Sequence, residues 1–555
     1  VAVTLGEALN LLYYQKRHEL KQDGVTPAAL ERLDRELRRP AQKMLAMGNS
    51  PSGEKFATAS AMDLDGRHEE ALALLETLLA ESPWRSDLAL RQVLCWKSIA
   101  WRRTTAADPI GAQQAWSEAG RAMDRALDLA RSNPRLHEER LQLLMDIAHH
   151  EADHGIRDSY AQPRIKKALE AGLKINPEST VLLLLQAEQL YRQALTEYEA
   201  GQPGRELLEQ AIQSAGRAVA VDPGAYKILT CLGRYLLTRL EWDFQAGSDT
   251  GPDLLRAQEA LGTALKLQPD RNDSRKLLMY VQYMHGQILA RQGQDPRPAY
   301  RQALATARLA ARADLDSLNL QGAVLSLVNT LLEADLALGS DPERGLAEGA
   351  QAGTLALKGM PDYPNLLTDL GRLDRFAATW DLARARDPSP ALSMAEAHLR
   401  AALAKEPRFR EAYQELGELG LLRARAAQKE GRGDQASLEA AARAFGAASR
   451  LAPEQVDPLL GIAEAGALSQ GAAGAALRRQ GAVALQEVML KQPDLPRCRA
   501  LQGALILAGL DQLPPKERLK QARKAQALLD QALAKDQLLR VRFAPWRDEA
   551  GRAAR

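Results

Sequence analysis

Six prolines constrain the fold more than any other feature of the chain. Pro177, Pro223, Pro269, Pro361, Pro407 and Pro453 each follow an Ala- and Leu-rich stretch, at gaps of 46, 46, 92, 46 and 46 residues. The doubled gap has its missing mark at Leu315, in Ala313-Asp314-Leu315-Asp316, where Leu stands in place of Pro. Further marks fall at Pro83, Pro134 and Pro493, and at Gln537 with Gln for Pro. A fixed period of this length implies stacked units, none of which can bury its apolar face alone. About eleven units are expected, and counting domains from the length of 555 residues does not apply.

Each unit reads as two helices. Small or apolar residues stand 12, 8 and 5 positions before a mark: Ala257, Leu261 and Ala264; Ala395, Leu399 and Ala402; Ala441, Phe445 and Ala448; Ala525, Leu529 and Ala532. Steps of four and three trace one stripe of a helix, and small side chains on it admit a close neighbour. A second set follows the mark by 6, 9 and 10 positions: Leu229, Leu232 and Gly233; Leu367, Leu370 and Gly371; Tyr413, Leu416 and Gly417. These belong to a helix beginning just past the proline, which stops one helix and starts the next.

Composition agrees. Hydrophobic residues make up 46% of the chain and aromatics only 5%, so the apolar share is mostly Ala and Leu, which favour helix over strand. With 73 basic against 71 acidic residues, no global field draws the chain to nucleic acid or membrane. Apolar runs such as Val181 to Leu185 are far too short to span a bilayer. The first 20 residues end in Lys16, Arg17, His18 and Glu19, which is unlike a signal-peptide cleavage site. Cys95, Cys231 and Cys498 lie far apart, which suits a reducing cytoplasm. The chain opens on Val1, in keeping with a piece of something longer.

The pattern of aromatic or Leu, Leu-Gly, Ala, Phe or Leu, Ala and Pro resembles the tetratricopeptide repeat, a pair of antiparallel helices. Phe56 to Pro83 has that repeat's usual length, with Gly66 at the turn. The period of 46 departs from the family's, about 34. The excess falls between the Leu-Gly pair and the second helix, so the first helix after Pro407 is expected to run from about Arg408 to Lys429. The expectation is an all-α, right-handed α-solenoid of tetratricopeptide-like hairpins over residues 51–540. Residues 1–50, with two helices split by Asp23-Gly24 and Thr26-Pro27, form a cap or linker, and 541–555 a C-terminal tail.

The insertion has its own ladder. Asp249, Asp295, Asp341 and Asp387 are spaced by 46, prolines follow, and Gly247, Gly293 and Gly339 precede three of them by two. Gly ends the first helix, while Asp and Pro start the second by capping its N–H groups and fixing φ. The alternative is a carboxylate row binding Ca²⁺ or a basic peptide. The turn Gly293-Gln294-Asp295-Pro296-Arg297-Pro298, the long hairpins and the ending Phe543-Ala544-Pro545 resemble the C-terminal repeat regions of large bacterial, myxobacterial-type serine/threonine protein kinases. The kinase motifs are not in this chain: Asp243-Phe244-Gln245 is the nearest to Asp-Phe-Gly, and no phosphate-binding glycine loop occurs.

Other chemistry is sparse. His150-Glu151-Ala152-Asp153-His154 matches a zinc-protease motif, with Glu170 or Glu178 as a third ligand. It falls where the next unit has Thr196 to Ala200, expected to be a solvated hairpin tip, so the motif reads as a polar helix end. Trp84, Trp96, Trp101 and Trp116 read as local core, with a peptide anchor as the alternative. The family resemblance puts first helices on the concave face, where Glu411, Gln414 and Glu418 would meet a protein or peptide partner. They do not supply the Lys and Asn of the family's carboxylate clamp. No cofactor is expected. The reading is a non-catalytic cytoplasmic scaffold, the regulatory or docking region of a kinase, or alternatively a module sensing a small molecule or peptide inside the superhelix.

Overall fold

A computed structural model describes residues 31–40, 51–155, 161–248, 250–313 and 318–555, together with Leu9 and Lys43. Helices joined by turns account for them, with no strand among the described residues. Two compact units result, Val1–Pro223 and Gly224–Arg555, a division that the unbroken period does not announce.

The first unit holds four hairpins: α1 (Pro51–Leu64) with α2 (His68–Glu81), α3 (Ser86–Thr105) with α4 (Pro109–Leu129), α5 (Pro134–Asp153) with α6 (Gln162–Ile175), and α7 (Thr180–Glu199) with α8 (Arg205–Val221). The second holds seven: α9 (Tyr226–Ala246) with α10 (Gly251–Leu267), α11 (Asn272–Arg291) with α12 (Arg297–Ala313), α13 (Leu318–Ala337) with α14 (Glu343–Leu357), and α15 (Pro364–Ala383) with α16 (Ser389–Lys405). Then come α17 (Arg410–Lys429) with α18 (Gln435–Leu451), α19 (Asp457–Leu468) with α20 (Ala475–Lys491), and α21 (Pro496–Ala508) with α22 (Pro515–Lys535). The eleven hairpins match the eleven expected units. The first helix after Pro407 is 20 residues long, starting two residues later than expected.

The residues expected as a tail form α23 (Arg540–Ala553), with Phe543, Trp546 and Ala550 buried. Phe543 and Trp546 stand 6 and 9 positions after Gln537, as Tyr413 and Leu416 do after Pro407. Thus α23 stands in the register of a first helix, packed on α22 and α21.

A single contact explains the packing register. A Cβ on Gly233 would meet Leu261 at 2.5 Å, one on Gly371 would meet Leu399 at 2.7 Å, and one on Gly417 would meet Phe445 at 2.5 Å. The glycine ten positions after a mark therefore receives the large residue eight positions before the next mark. The flanking Ala257, Ala264, Ala395, Ala402, Ala441 and Ala448 are fully buried. Burying each Leu or Phe contributes roughly 1.5–3 kcal/mol, and the glycine and alanines let the two helices close on it.

The turns within hairpins repeat with equal strictness. Positions 155, 201, 247, 293, 339, 385 and 431 all have left-handed φ, from 55° to 74°, and six of the seven are glycine. Ala385 is the exception. Two residues on, Asp295, Asp341 and Asp387 accept hydrogen bonds from the backbone N–H of Arg297, Glu343 and Ser389, at 3.0, 2.9 and 3.0 Å. At these three steps the carboxylate, one residue ahead of the N-cap position, takes up a free N–H of the second helix's first turn, and Asp295 also pairs with the Arg297 side chain. Asp249 and Leu315 lie outside the described residues.

Candidate functional site

First helices pack against first helices. In the second unit α9 meets α11, and α13, α15, α17, α19 and α21 each meet the first helix that follows; in the first unit α1, α3 and α5 do likewise. Among the described residues second helices make no comparable contact with one another, so first helices form the inner side of each curve. In the second unit the curve is tight. A Cβ on Gly293 would meet the Lys535 carbonyl at 2.6 Å, and one on Gly339 would meet Val541 at 3.6 Å, five hairpins later in both cases. The Gln537–Leu539 turn and α23 also rest on α13.

That curvature brings charges together on the inner face. Glu415, buried on α17, accepts from Arg372 Nε at 2.6 Å and Arg375 Nε at 2.8 Å, both on α15. Burial alone would raise the Glu415 pKa; the two guanidiniums outweigh it and hold it at about 2. Asp369, one turn before Arg372 and 3.7 Å from it, is pushed up to about 6, chiefly by burial.

A second cluster centres on the next first helix. Glu464 on α19 has no solvent exposure and is met by Arg425 of α17, by Arg497 of α21 at 3.2 Å and by Arg542 of α23 at 2.7 Å. Arg542 also reaches Glu418 on α17 at 3.0 Å. One carboxylate thus ties together four successive first helices. Burial acts to raise the Glu464 pKa, but three guanidiniums hold it well below the ordinary value.

Of the residues expected to meet a partner, Glu411 is half-exposed and bonded to Arg410. Gln414 is half-buried, with an Oε1 that has no hydrogen-bond partner among the described residues. Glu418 retains only 14% side-chain exposure and belongs to the arginine cluster. The sequence reading missed Glu464, although it stands 46 residues after Glu418 and so occupies the equivalent position.

His150 corrects the expected solvated tip. It is buried, its Nδ1 is 3.4 Å from the Thr104 hydroxyl, and its ring lies 6.3 Å from that of Trp116 and 4.3 Å from that of His154. Burial first, and His154 second, lower its pKa. His154 Nδ1 is 2.9 Å from the His150 carbonyl, and Glu151 Oε2 accepts from Ala161 N at 3.4 Å. Among the described residues no three His, Cys, Asp or Glu side chains are grouped to hold a metal ion. The tryptophans divide: Trp116 is core, Trp96 packs against it, and Trp84 and Trp101 are exposed. No described helix is long and apolar enough to cross a membrane.

The hairpins, their glycine-to-large-residue register and the stacked first helices define an all-α solenoid of tetratricopeptide type. No protein-family profile and no curated protein matches the sequence. Among solved structures, yeast Tom70 aligns with 90% of this chain and 95% of its own at 12% identity, with a TM-score of 0.38. Cut9–Hcn1, an APC/C hetero-tetramer, aligns over 95% of both chains at 13% identity and a TM-score of 0.37. A tetratricopeptide repeat protein from Parabacteroides merdae covers 57% of this chain and 98% of its own, at 14% identity and a TM-score of 0.35. These are likenesses of fold alone.

Proposed function

We propose that the chain is a non-catalytic, cytoplasmic interaction scaffold whose first-helix faces receive a protein or peptide partner. The observation that carries this reading is the stacking of first helices against one another, with Glu411 keeping solvent access on α17. Glu411 offers negative charge at this face, so the partner is a basic segment. The resemblance to kinase C-terminal repeat regions supplies the context, a docking arm for a signalling serine/threonine kinase.

A photo-crosslinking residue at position 411, compared with one at exposed Leu490 on second helix α20, tests this in the producing cell. A discrete adduct from 411 alone is the expected result. Equal adducts from both positions, or adducts from 490 alone, would remove the first-helix face from the proposal.

A further inference from the structure

The net charge of +2 conceals a local surplus. Residues 475–555 hold 16 basic and 8 acidic side chains, against 57 and 63 in the rest of the chain. Part of that surplus serves the fold: Arg497 and Arg542 meet Glu464, and Arg478 donates to the Ser469 and Gly471 carbonyls. Another part faces outward. On α22, Lys516, Lys520, Arg523 and Lys524 are all exposed, and their spacing places them on one stripe of the helix. None of the four has an ion-pair partner among the described residues. Arg479 of α20 stands 14 positions before Pro493, as Arg523 stands before Gln537, so the two helices share a register. The α20 stripe continues from Arg479 through Val483 to Leu490, whose side chains keep 68% and 81% exposure.

Neither stripe contains a carboxylate, and those beside them are engaged elsewhere. Glu517 accepts from Gln521 Nε2 at 3.2 Å, Glu487 from Lys491 at 2.7 Å and Asp530 from Arg547 at 2.6 Å. Asp511, ahead of α22, is close enough to Glu549 of α23 to add to the rise that burial gives its pKa. Lys516 with Lys520, and Lys520 with Lys524, are like charges four residues apart, which weaken a helix. The contrast is α12, which also carries four basic residues and no acid. There Arg297, Arg301 and Arg308 pair with Asp295, Asp335 and Glu348.

We propose that the outer faces of α20 and α22 dock the second unit onto an anionic membrane surface. The basic stripe faces the lipid phosphates, and Val483 and Leu490 enter the boundary between headgroups and acyl chains. Three observations favour a membrane over an acidic polypeptide or a nucleic acid. Both elements are second helices, so the stripes lie on the outer side of the curve and offer no groove to a chain. Lysine accounts for only 19 of the 73 basic residues yet supplies three of the four charges on the α22 stripe. Its mobile ammonium suits a diffuse plane of charge better than paired recognition does. Exposed aliphatic side chains suit acyl chains, and neither helix has an aromatic residue on which a base could stack. This inference is independent of the partner proposal, since a lipid contact at Leu490 yields no protein adduct.

Co-sedimentation of the full chain with vesicles tests the surface, using phosphatidylcholine alone and phosphatidylcholine mixed with phosphatidylglycerol. Binding to the anionic vesicles only, weakened by salt, is expected. Lys520→Glu combined with Lys524→Glu should weaken it by about tenfold or more. Leu490→Ser should weaken it about tenfold and leave the salt dependence in place. Lys166→Glu combined with Lys167→Glu makes the same charge change on exposed residues of α6 and should change nothing. The comparison of the two vesicles with the wild type stands even if a variant fails to fold. Equal binding to both vesicles, or binding to neither, would overturn the proposal. So would an equal loss in the α6 variant, unchanged binding in the folded α22 variant, or tighter binding of polyglutamate or duplex DNA than of the anionic vesicles.

Discussion

Asp369 makes stability depend on pH in an unusual direction. Its carboxyl is pushed from the ordinary 3.8 to about 6, mainly by burial, although Arg372 lies 3.7 Å away and acts against the shift. A raised carboxyl pKa means that the folded chain binds more protons than the unfolded chain between about pH 4 and 6. Stability from this group therefore rises as pH falls through 6 and is complete below 4. Taken whole, the shift corresponds to about 3 kcal/mol, and since 18% of the side chain remains exposed we take about 1–2 kcal/mol. Asp369→Asn should remove the penalty, making the region more stable than wild type by that amount at pH 7.5 and no different at pH 4. The Asn329 side-chain amide donates to the Asp369 backbone carbonyl at 2.8 Å, a contact that the substitution keeps. A long repeat array need not unfold in two states, so the assay is amide hydrogen exchange across α15 and α17, variant against wild type at each pH. A pH-independent difference, or a variant less stable at pH 7.5, would refute the argument.

Glu415→Gln should destabilise the same region by about 2–4 kcal/mol, because it removes the carboxylate that Arg372 and Arg375 share and leaves Arg372 with Asp369 alone; amide exchange across α15 and α17 checks this. Ala385→Gly should stabilise by about 1 kcal/mol, since alanine occupies a left-handed position that glycine fills at the other six steps; a lower thermal midpoint would contradict it. Asp341→Ala should cost about 1 kcal/mol through the lost cap, with unchanged calcium response. His150→Ala should cost about 2 kcal/mol in denaturant unfolding, as expected for a buried side chain packed on Trp116.

The period made the fold legible because local chemistry repeats at each step. Pro or its substitute separates the hairpins, Gly and Asp form the turn within them, and the Leu-Gly pair meets one large residue of its own second helix. Where a reading leaned on equivalence between units alone, it was weaker. Thr196 is exposed, whereas His150, 46 residues earlier, is buried against Trp116 on α4. The equivalence of position held, but His150 is covered by Trp116. The C-terminal helix was readable from Phe543 and Trp546, whose offsets from Gln537 match those of a first helix.

The inner-face charges were less legible for a different reason. Arg372, Glu418 and Glu464 occupy equivalent positions in three successive hairpins. A charge recurring on the same face of stacked helices reads equally as solvated or as paired across the curve. Period fixes which residues share a face but not how far each hairpin rotates on the last, and that rotation decides whether side chains 124 residues apart can meet. Here it brings Arg542 onto both Glu418 and Glu464. Removing Arg542 would leave Glu418 with no ion-pair partner among the described residues, while Glu464 would keep Arg425 and Arg497. The two carboxylates, indistinguishable by repeat position, are therefore unequal in role: Glu464 holds α17, α19 and α21 together by itself, and Glu418 binds the last helix back onto the stack.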